Sequence, residues 1–403
     1  MESSLFLIGL YFLHIALEIL ISQRQYAFLK QKKKDKPILL DEKTWKEAAE
    51  YAIKKEQFRI ISGIFSAIVF GVWVFGGLGF LNRTLVFENL HYKSVALILA
   101  FMAINFVLNL PFEIYSKFVI DEKFGFNKTT KELFLTDTLK SIILSVLLIS
   151  LIVYAMSIFI ASSEIWWLYS FFAIFALIIL VNMLYPTIRA LLFDKFESIE
   201  TTPLGDDIKE LLKKQGFKIS GIFKVDASKR DTRLNAYFGG LGKTKRVVLF
   251  DTLIEKLSKN ELLAVLGHEL GHFKHKDILK NIAFVGCLLF ATLFLFGNVN
   301  EQVLFGIGLE NAPASKILFF LMFSPLVFFF ISPFANYLSQ LHEFSADEFG
   351  SCVQDRESMA SALIKLSSEN KSFPLSDRLY SVFYHSHPSV DSRVQRLKSG
   401  SRS

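Results

Sequence analysis

The chain has 403 residues, of which 52% are hydrophobic, and its 45 basic and 38 acidic side chains give a net charge of +7. The 43 phenylalanines exclude a disordered chain or a polar nucleic-acid-binding tail, although the length would fit two or three soluble domains. Cys287 and Cys352 form neither a CxxC pair nor a disulfide framework, so both thiols are expected to be free.

Seven segments are apolar over about 20 residues each, the length that an α-helix needs to cross the hydrocarbon core of a membrane. They lie at 4–22, 58–81, 95–115, 141–161, 165–185, 282–300 and 317–337. Arg24 follows the first segment directly, where a cleaved signal would have small residues, so this segment is expected to remain as a helix. The sequence predicts a polytopic membrane protein.

The distribution of basic residues predicts the orientation in the membrane. Loop 23–57 is rich in lysine, whereas loops 82–94, 162–164 and 301–316 hold few cations. The positive-inside rule therefore predicts an outside N-terminus, with segments 187–281 and 338–403 in the cytosol. The lysines at 30–36 fit either a site for anionic lipid or a solvated marker of the inner face.

Polar residues inside the predicted spans have two possible explanations. His14 and Glu18 share one face of the first helix, and Asn105, Asn109 and Glu113 share one face of the third. Such groups either form buried hydrogen bonds between helices or line a water-filled cavity. Both explanations stay open on the sequence alone.

The segment at 268–272 reads HELGH, a match to the HExxH motif of zinc peptidases. A capping box at 258–261 predicts the start of a helix that continues through this motif into the sixth span. Residues four apart share a helix face, so His268 and His272 are expected to bind one metal ion. Zinc also needs a third protein ligand and an open position for water, for which Glu269 would be the general base.

The segment at 343–347, EFSAD, is the best candidate source of the third ligand, because it begins just after the last span. Glu343 is predicted to bind the metal, while Asp347, one turn later, accepts a hydrogen bond from a ligand histidine. His275 lies too close to the histidine pair in sequence, and His342 points about 100° away from Glu343. Both ligand segments adjoin spans, so the metal is expected near the membrane face.

These segments resemble the type I CAAX prenyl proteases, zinc endopeptidases, over nearly the whole chain. Besides HExxH and ExxAD, the resemblance rests on Glu18 with Arg24-Gln25, on 115–128, and on 184–186 with 193–196. It implies seven helices that form a barrel around a large chamber, with a smaller cytosolic α+β zincin-like domain. The expected division is a five-span membrane domain, 1–186, and a metalloprotease domain, 187–403.

Two further segments resemble substrate-binding parts of the family. The segment 235–238, interpreted as a hairpin turn, and 246–253 resemble its edge-strand hairpin, which implies Asn235, Ala236 and Tyr237 as substrate contacts.

The segment 385–388, His-Ser-His-Pro, together with Arg393 resembles the C-terminal motif of the family. By position, His387 is expected to steady the substrate oxyanion, and Arg393 to bind the C-terminal side of the substrate.

Two departures from known patterns also matter. Gln340 and Leu341 stand where the family commonly has basic residues, which predicts that a supporting salt bridge is missing. The segment 242–244, Gly-Lys-Thr, ends like a phosphate loop, but Tyr237 replaces the first glycine, so no nucleotide binding is expected.

The sequence and the resemblance together predict an integral-membrane endopeptidase with one Zn²⁺ per chain that removes the C-terminal tripeptide of prenylated proteins. Its expected partners are this membrane-tethered substrate and the lipid bilayer, without nucleic acid. The alternative within the same class is a quality-control peptidase acting on non-prenylated membrane proteins. A transporter or metal-binding scaffold, with a path through His14, Glu18 and Glu113, is the alternative from another class. The compartment would be the endoplasmic reticulum in a eukaryote and the inner membrane in a bacterium.

Overall fold

The computed structural model describes residues 2–240 and 245–400, which are mostly helical. The helices of the first half are α1 (Glu2–Lys32), α2 (Glu42–Val72), α3 (Leu78–Thr84), α4 (Leu90–Tyr115), α5 (Lys131–Ser162) and α6 (Trp166–Leu192). Those of the second half are α7 (Pro203–Lys214), α8 (Asp251–Lys256), α9 (Lys259–Lys274), α10 (Asp277–Gly297), α11 (Glu301–Phe305), α12 (Pro313–Val353), α13 (Arg356–Glu369), α14 (Arg378–Tyr384) and α15 (Val390–Ser399).

In the described part of the chain, seven helical segments are long and apolar enough to cross a membrane. They are α1, α2 together with α3, α4 with the π-helical segment Ser116–Asp121, α5, the first part of α6, α10 and α12. Their apolar side chains pack into one cluster that draws on most of these helices, including Trp73, Leu97, Val153, Leu293 and Phe323. The predicted fold class is confirmed: the chain is a seven-span, mostly helical membrane protein with a small soluble α+β part.

The soluble part contains one four-stranded sheet. Its strands are β1 (Phe196–Ser198), β2 (Gly221–Val225), β3 (Ala236–Gly239) and β4 (Arg246–Phe250), in the spatial order β1-β2-β4-β3. β2 and β4 are parallel, and the two outer pairs are antiparallel. The sheet packs on α7, α8 and α9 through buried aliphatic residues such as Ile208, Val248, Leu253 and Leu266. β3 is therefore an edge strand beside the helix that carries HELGH.

The structure corrects the interpretation of 235–238 as a hairpin turn. Ala236 to Gly239 form the edge strand itself, with Ala236 opposite Leu249 of β4. Antiparallel pairing with the buried strand β4 overrides the local turn signal. The segment 242–244 lies outside the described residues.

The structure also corrects the expectation that the HELGH helix continues into the sixth span. The capping box is present, since Ser258 accepts from the backbone N–H of Glu261 and Glu261 accepts from that of Ser258. However, α9 ends at Lys274 because Lys276 adopts a left-handed backbone conformation with φ of 59°. A new helix, α10, then begins at Asp277 and forms the sixth span.

Close packing of α9 against α12 brings the two ligand segments together. A Cβ atom on Gly271 would lie 2.9 Å from the Cα atom of Ala346, and one on Gly350 would lie 2.9 Å from the backbone nitrogen of His268. The two helix backbones are therefore in contact, and the glycine of HELGH packs directly on the alanine of EFSAD. Larger side chains at these positions would separate the helices.

Some polar residues of the spans contact other polar side chains, while Asn109 and Glu113 are exposed. His14 Nε2 is 3.5 Å from Glu18 Oε1, and Asn105 Oδ1 accepts a hydrogen bond of 3.3 Å from Trp73 Nε1. A cavity of about 260 Å³ lies between α1, α2 and α14, and a second of about 240 Å³ lies between α1, α2, α4 and α12; Ser66 lines both.

Two further expectations can be compared with the structure. Both cysteine thiols are free, as expected. The division expected after residue 186 falls within α6 and remains a prediction.

Candidate metal centre

His268, His272 and Glu343 form a compact group of possible metal ligands. One ligand atom from each side chain lies within 4.8 Å of the other two. α9 supplies the two histidines, and α12 supplies Glu343 through its contact with α9. The two segments that the sequence singled out therefore meet in space.

The atoms that face each other in this group are suited to hold a cation. The Nε2 atoms of the two histidines are 3.2 Å apart, while Glu343 Oε1 is 3.3 Å from His272 Nε2 and Glu343 Oε2 is 3.5 Å from His268 Nε2. Glu343 is buried, and its Oε2 atom accepts no hydrogen bond of regular geometry. A metal ion would complete the bonding of this buried carboxylate oxygen.

Each histidine is oriented by a carboxylate on its other ring nitrogen. His268 Nδ1 is 2.9 Å from Asp347 Oδ1, the contact that the sequence predicts, and His272 Nδ1 is 3.0 Å from Asp277 Oδ2. Such contacts fix the ring and leave Nε2 free to bind metal. Asp277 was missed by the sequence analysis, because it reaches His272 only through the helix break at Lys276, which makes it the first residue of α10.

Arg393 supports the acidic side of the group. It is 8% exposed, its Nε and Nη2 atoms donate to Asp347 over 2.7 and 2.6 Å, and its Nη1 atom is 3.3 Å from Glu343 Oε2. Burial opposes the charge of Arg393, but Asp347 and then Glu343 outweigh it and raise the pKa of the guanidinium. In this position Arg393 neutralises and orients the carboxylates, and the substrate contact implied for it stays a prediction.

The surrounding carboxylates favour positive charge on His272. Burial disfavours a charged His272, but hydrogen bonds to Glu343 and Asp277 outweigh it and raise the pKa of His272 to about 9. The same carboxylates would attract a metal cation, which competes with protons for the imidazole nitrogens.

Glu269 lies next to His268 but is not one of the three converging ligands. Its side chain is partly buried, and burial raises the pKa of its carboxyl group above the usual range, although the two histidines oppose this shift. A carboxyl group with a raised pKa accepts a proton more readily near neutral pH.

His387 approaches the group from the C-terminal segment. Its Nδ1 atom is 2.8 Å from Glu343 Oε2, and its side chain is 61% exposed. Gln340 of α12 donates a hydrogen bond of 2.8 Å to the backbone carbonyl of His385, which holds the segment that carries His387. The sequence predicts that a salt bridge is missing at Gln340, and in the structure this residue makes a neutral hydrogen bond.

Two residues of α1 help to position the segment that carries His387. Arg24 Nη2 donates to Asp377 Oδ2 over 3.2 Å, and Gln25 Oε1 accepts from the backbone N–H of Asp377 over 2.8 Å. Asp377 is the N-cap of α14, which leads directly to His385. The Arg24-Gln25 pair therefore supports the site from a distance.

The predicted substrate contacts lie on or beside the edge strand. Asn235 is exposed, and its carbonyl accepts from the backbone N–H of Phe250, while Ala236 is buried against β4. The hydroxyl of Tyr237 is buried beside α6, and burial raises its pKa to about 12. The Phe238 ring packs on Phe273 of α9 at 5.3 Å, so β3 is anchored beside the histidines.

Comparison with known proteins shows the family of the chain. Residues 198–401 match the model of peptidase family M48, and residues 25–195 match the model described as the CAAX prenyl protease N-terminal domain with five membrane helices. The chain belongs to peptidase family M48. A metal-dependent peptidase centre is what this M48 membership implies for the group formed by His268, His272 and Glu343.

Relatives of this M48 protein match it over nearly their full length. CAAX prenyl protease 1 of Saccharomyces cerevisiae is 30% identical, with 94% of this chain and 92% of the relative covered. The homolog of Oryza sativa subsp. japonica is 31% identical, with 98% and 96% covered. The crystal structure of S. mikatae Ste24p superimposes with a TM-score of 0.89 at 27% identity and covers 98% of both chains. This M48 protein is therefore a multi-pass membrane metallopeptidase, similar in fold and extent to these proteins.

Proposed function

We propose that the chain is a zinc endopeptidase that removes the C-terminal tripeptide of prenylated CAAX proteins. The observation that carries the proposal is the convergence of His268, His272 and Glu343 within 4.8 Å, with Glu269 beside them. The names of the relatives, CAAX prenyl proteases, support this class of substrate.

The donor set fits one zinc ion per chain. Two imidazoles and one carboxylate, with an open position for water, are the ligands of catalytic zinc in known peptidases. When bound, zinc polarises a carbonyl group and lowers the pKa of water to about 7. Asp347 and Asp277 hold the two histidines in the tautomer that offers Nε2 to the ion.

Glu269 is the proposed general base. It accepts the proton of the water that attacks the peptide carbonyl and then delivers it to the leaving amine. Its raised pKa suits this exchange near neutral pH.

His387 is the proposed hydrogen-bond donor to the carbonyl oxygen as negative charge develops there. Its exposed ring beside Glu343 supports this role. A single such donor contributes about 3 kcal/mol to transition-state stabilisation in other peptidases.

The edge strand β3 is the proposed docking site for the substrate backbone. An extended peptide would add to the sheet at Asn235, Ala236 and Tyr237, next to α9. Arg393 is proposed to act mainly by holding Asp347 and Glu343. The excess of lysine in loop 23–57 supports an outside N-terminus and a cytosolic site, in the endoplasmic reticulum of a eukaryote or the inner membrane of a bacterium.

The test uses full-length protein purified in detergent, with metal analysis and two peptides of identical sequence, one farnesylated and one not. We expect about one zinc per chain and release of the terminal tripeptide from the farnesylated peptide, abolished by a chelator and restored by zinc. Equal cleavage of both peptides would reject prenyl specificity in favour of a quality-control peptidase. Absence of zinc from active protein would reject the proposed ligands.

A further inference from the structure

Two adjoining cavities that differ in charge lie beside the C-terminal ends of α1 and α4 and the N-terminal half of α2. The first has a volume of about 690 Å³ and is lined largely by apolar residues, including Phe58, Ile61 and Phe112. The second has a volume of about 910 Å³ and is lined largely by lysines. Lys54 lines both cavities, which therefore lie side by side.

The second cavity has a strong excess of positive charge. Six lysines and a single carboxylate, that of Glu50, line it; the lysines are Lys30, Lys33, Lys34, Lys46, Lys54 and Lys123. Lys33 pairs with Glu50, and Lys46 pairs with Glu42. In the described part of the chain, Lys34, Lys54 and Lys123 form no salt bridge, so their charges remain available to a ligand.

The change from charge to apolar surface occurs in the same direction on three chain segments. On α2 the lining passes from Lys46 and Lys54 to Phe58 and Ile61, over a rise of roughly 22 Å. On α1 it passes from the lysines at 30–34 back to Tyr26, four residues earlier than Lys30.

The third segment, which runs from the end of α4 to Lys123, shows the same order. Lys123 lines the charged cavity just beyond the π-helical segment, whereas Tyr115, Phe112 and Pro111 of α4 line the apolar one. Tyr26 and Tyr115 line the apolar cavity, and aromatic side chains of this kind are enriched where membrane proteins meet lipid headgroups.

We propose that these cavities form a binding site for an anionic phospholipid. The negatively charged headgroup would lie among Lys34, Lys54 and Lys123, and an acyl chain would lie in the apolar cavity along α2 and α4. A solvated surface patch explains the lysines but not the apolar cavity beside them, whereas a phospholipid matches both parts. The inference does not depend on the proposed peptidase reaction.

The test uses the full chain in detergent with added phosphatidylserine or phosphatidylcholine carrying the same acyl chains. The site variant is K34Q/K54Q/K123Q, which leaves no carboxylate without its partner. The control variant, K213Q/K218Q/K398Q, removes the same charge from exposed lysines of the soluble part. Thermal unfolding as a function of lipid concentration gives the apparent affinity, because a ligand bound to the folded state raises the midpoint.

We expect phosphatidylserine to raise the unfolding midpoint more than phosphatidylcholine. The site variant should bind phosphatidylserine about a hundredfold more weakly, while the control variant keeps the wild-type affinity. Both variants should unfold at the wild-type temperature without lipid, which shows that they are folded.

Three results would overturn the proposal. One is equal stabilisation by the two phospholipids, and another is equal weakening in both variants. The third is stabilisation by uncharged farnesol that matches phosphatidylserine and survives the lysine substitutions. That result would assign the apolar cavity to a prenyl chain instead.

Discussion

Gln340 donates a side-chain hydrogen bond of 2.8 Å to the backbone carbonyl of His385. This contact ties α12, which supplies Glu343, to the segment that carries His387. Since Gln340 stands where the resembled family commonly has a basic residue, a neutral amide performs a positioning task here. The contribution of this hydrogen bond to activity can be measured separately from metal binding.

Replacement of Gln340 by Leu should lower kcat/KM about tenfold, because one hydrogen bond that orders the His387 segment is lost. Zinc content should not change, since Gln340 contacts no proposed ligand. Gln340→Arg should restore part of the activity, and the exposed Gln23→Leu is the matched control. Equal activity of Gln340→Leu and wild type would show that His387 is placed by other contacts.

Replacement of Glu269 by Gln should abolish turnover without removing the metal. Glutamine has nearly the same size but accepts no proton at neutral pH, so kcat should fall by about 10²- to 10⁴-fold. Metal analysis should still give the wild-type stoichiometry, because Glu269 is not among the converging ligand atoms. Wild-type activity in this variant would contradict its role as the base.

Replacement of Asp277 by Asn should weaken zinc binding or activity about 10- to 100-fold, since His272 loses the carboxylate that orients it. Competition with a chelator of known affinity measures the change. Asp277→Glu is expected to recover part of the loss, because it keeps a carboxylate near His272. Asp206→Asn, in the first turn of α7, serves as the control and should retain wild-type affinity.

Replacement of Gly271 by Ala should separate α9 from α12, because the added Cβ would lie 2.9 Å from the Cα atom of Ala346. We expect a destabilisation of about 1–3 kcal/mol together with reduced zinc affinity. Gly9→Ala is the control, since a Cβ at that helical position meets nothing within 4 Å. An unchanged zinc affinity would mean that the ligands tolerate a shift of the helices.

Glu261 should make the stability of α9 depend on pH. Burial alone would raise the pKa of its carboxyl group, but hydrogen bonds from Ser361 and Ser258 outweigh burial and lower it below the ordinary value of about 4.5. Because the pKa is lower in the folded state, the carboxylate stabilises the protein above pH 4.5, and this stabilisation is lost as the pH falls through the lowered pKa.

The measurement compares unfolding midpoints of wild type and Glu261→Gln from pH 7 downward. At pH 7 we expect wild type to be more stable by about 1 kcal/mol, and the difference should disappear in acid. The exposed Glu255→Gln should show no such trend. A difference that stays constant with pH would show that the contribution of Glu261 does not come from its charge.

The sequence predicted those features that depend on local spacing. The apolar segments identified the seven spans, and the i, i+4 spacing of His268 and His272 placed both rings on one face. The proposed third ligand, Glu343, was chosen from EFSAD, and the structure places this segment on the helix α12 that packs on α9.

The features that the sequence missed depend on long-range packing. The contact of Asp277 with His272 requires the helix break at Lys276, which has no strong sequence signal because lysine rarely adopts a left-handed conformation. The burial of Arg393 depends on how α15 lies against α12. The strand at 236–239 forms because β4 is available to pair with it.

The helix α12 carries Glu343 and also crosses the membrane, over 41 residues and roughly 60 Å. The two histidines belong to α9, which is outside the spans. Spanning helices tilt when the hydrophobic thickness of the bilayer does not match their length. A tilt of α12 that α9 did not follow would move Glu343 relative to the two histidines, so the thickness of the surrounding membrane would act on the proposed metal site through the contact between these helices.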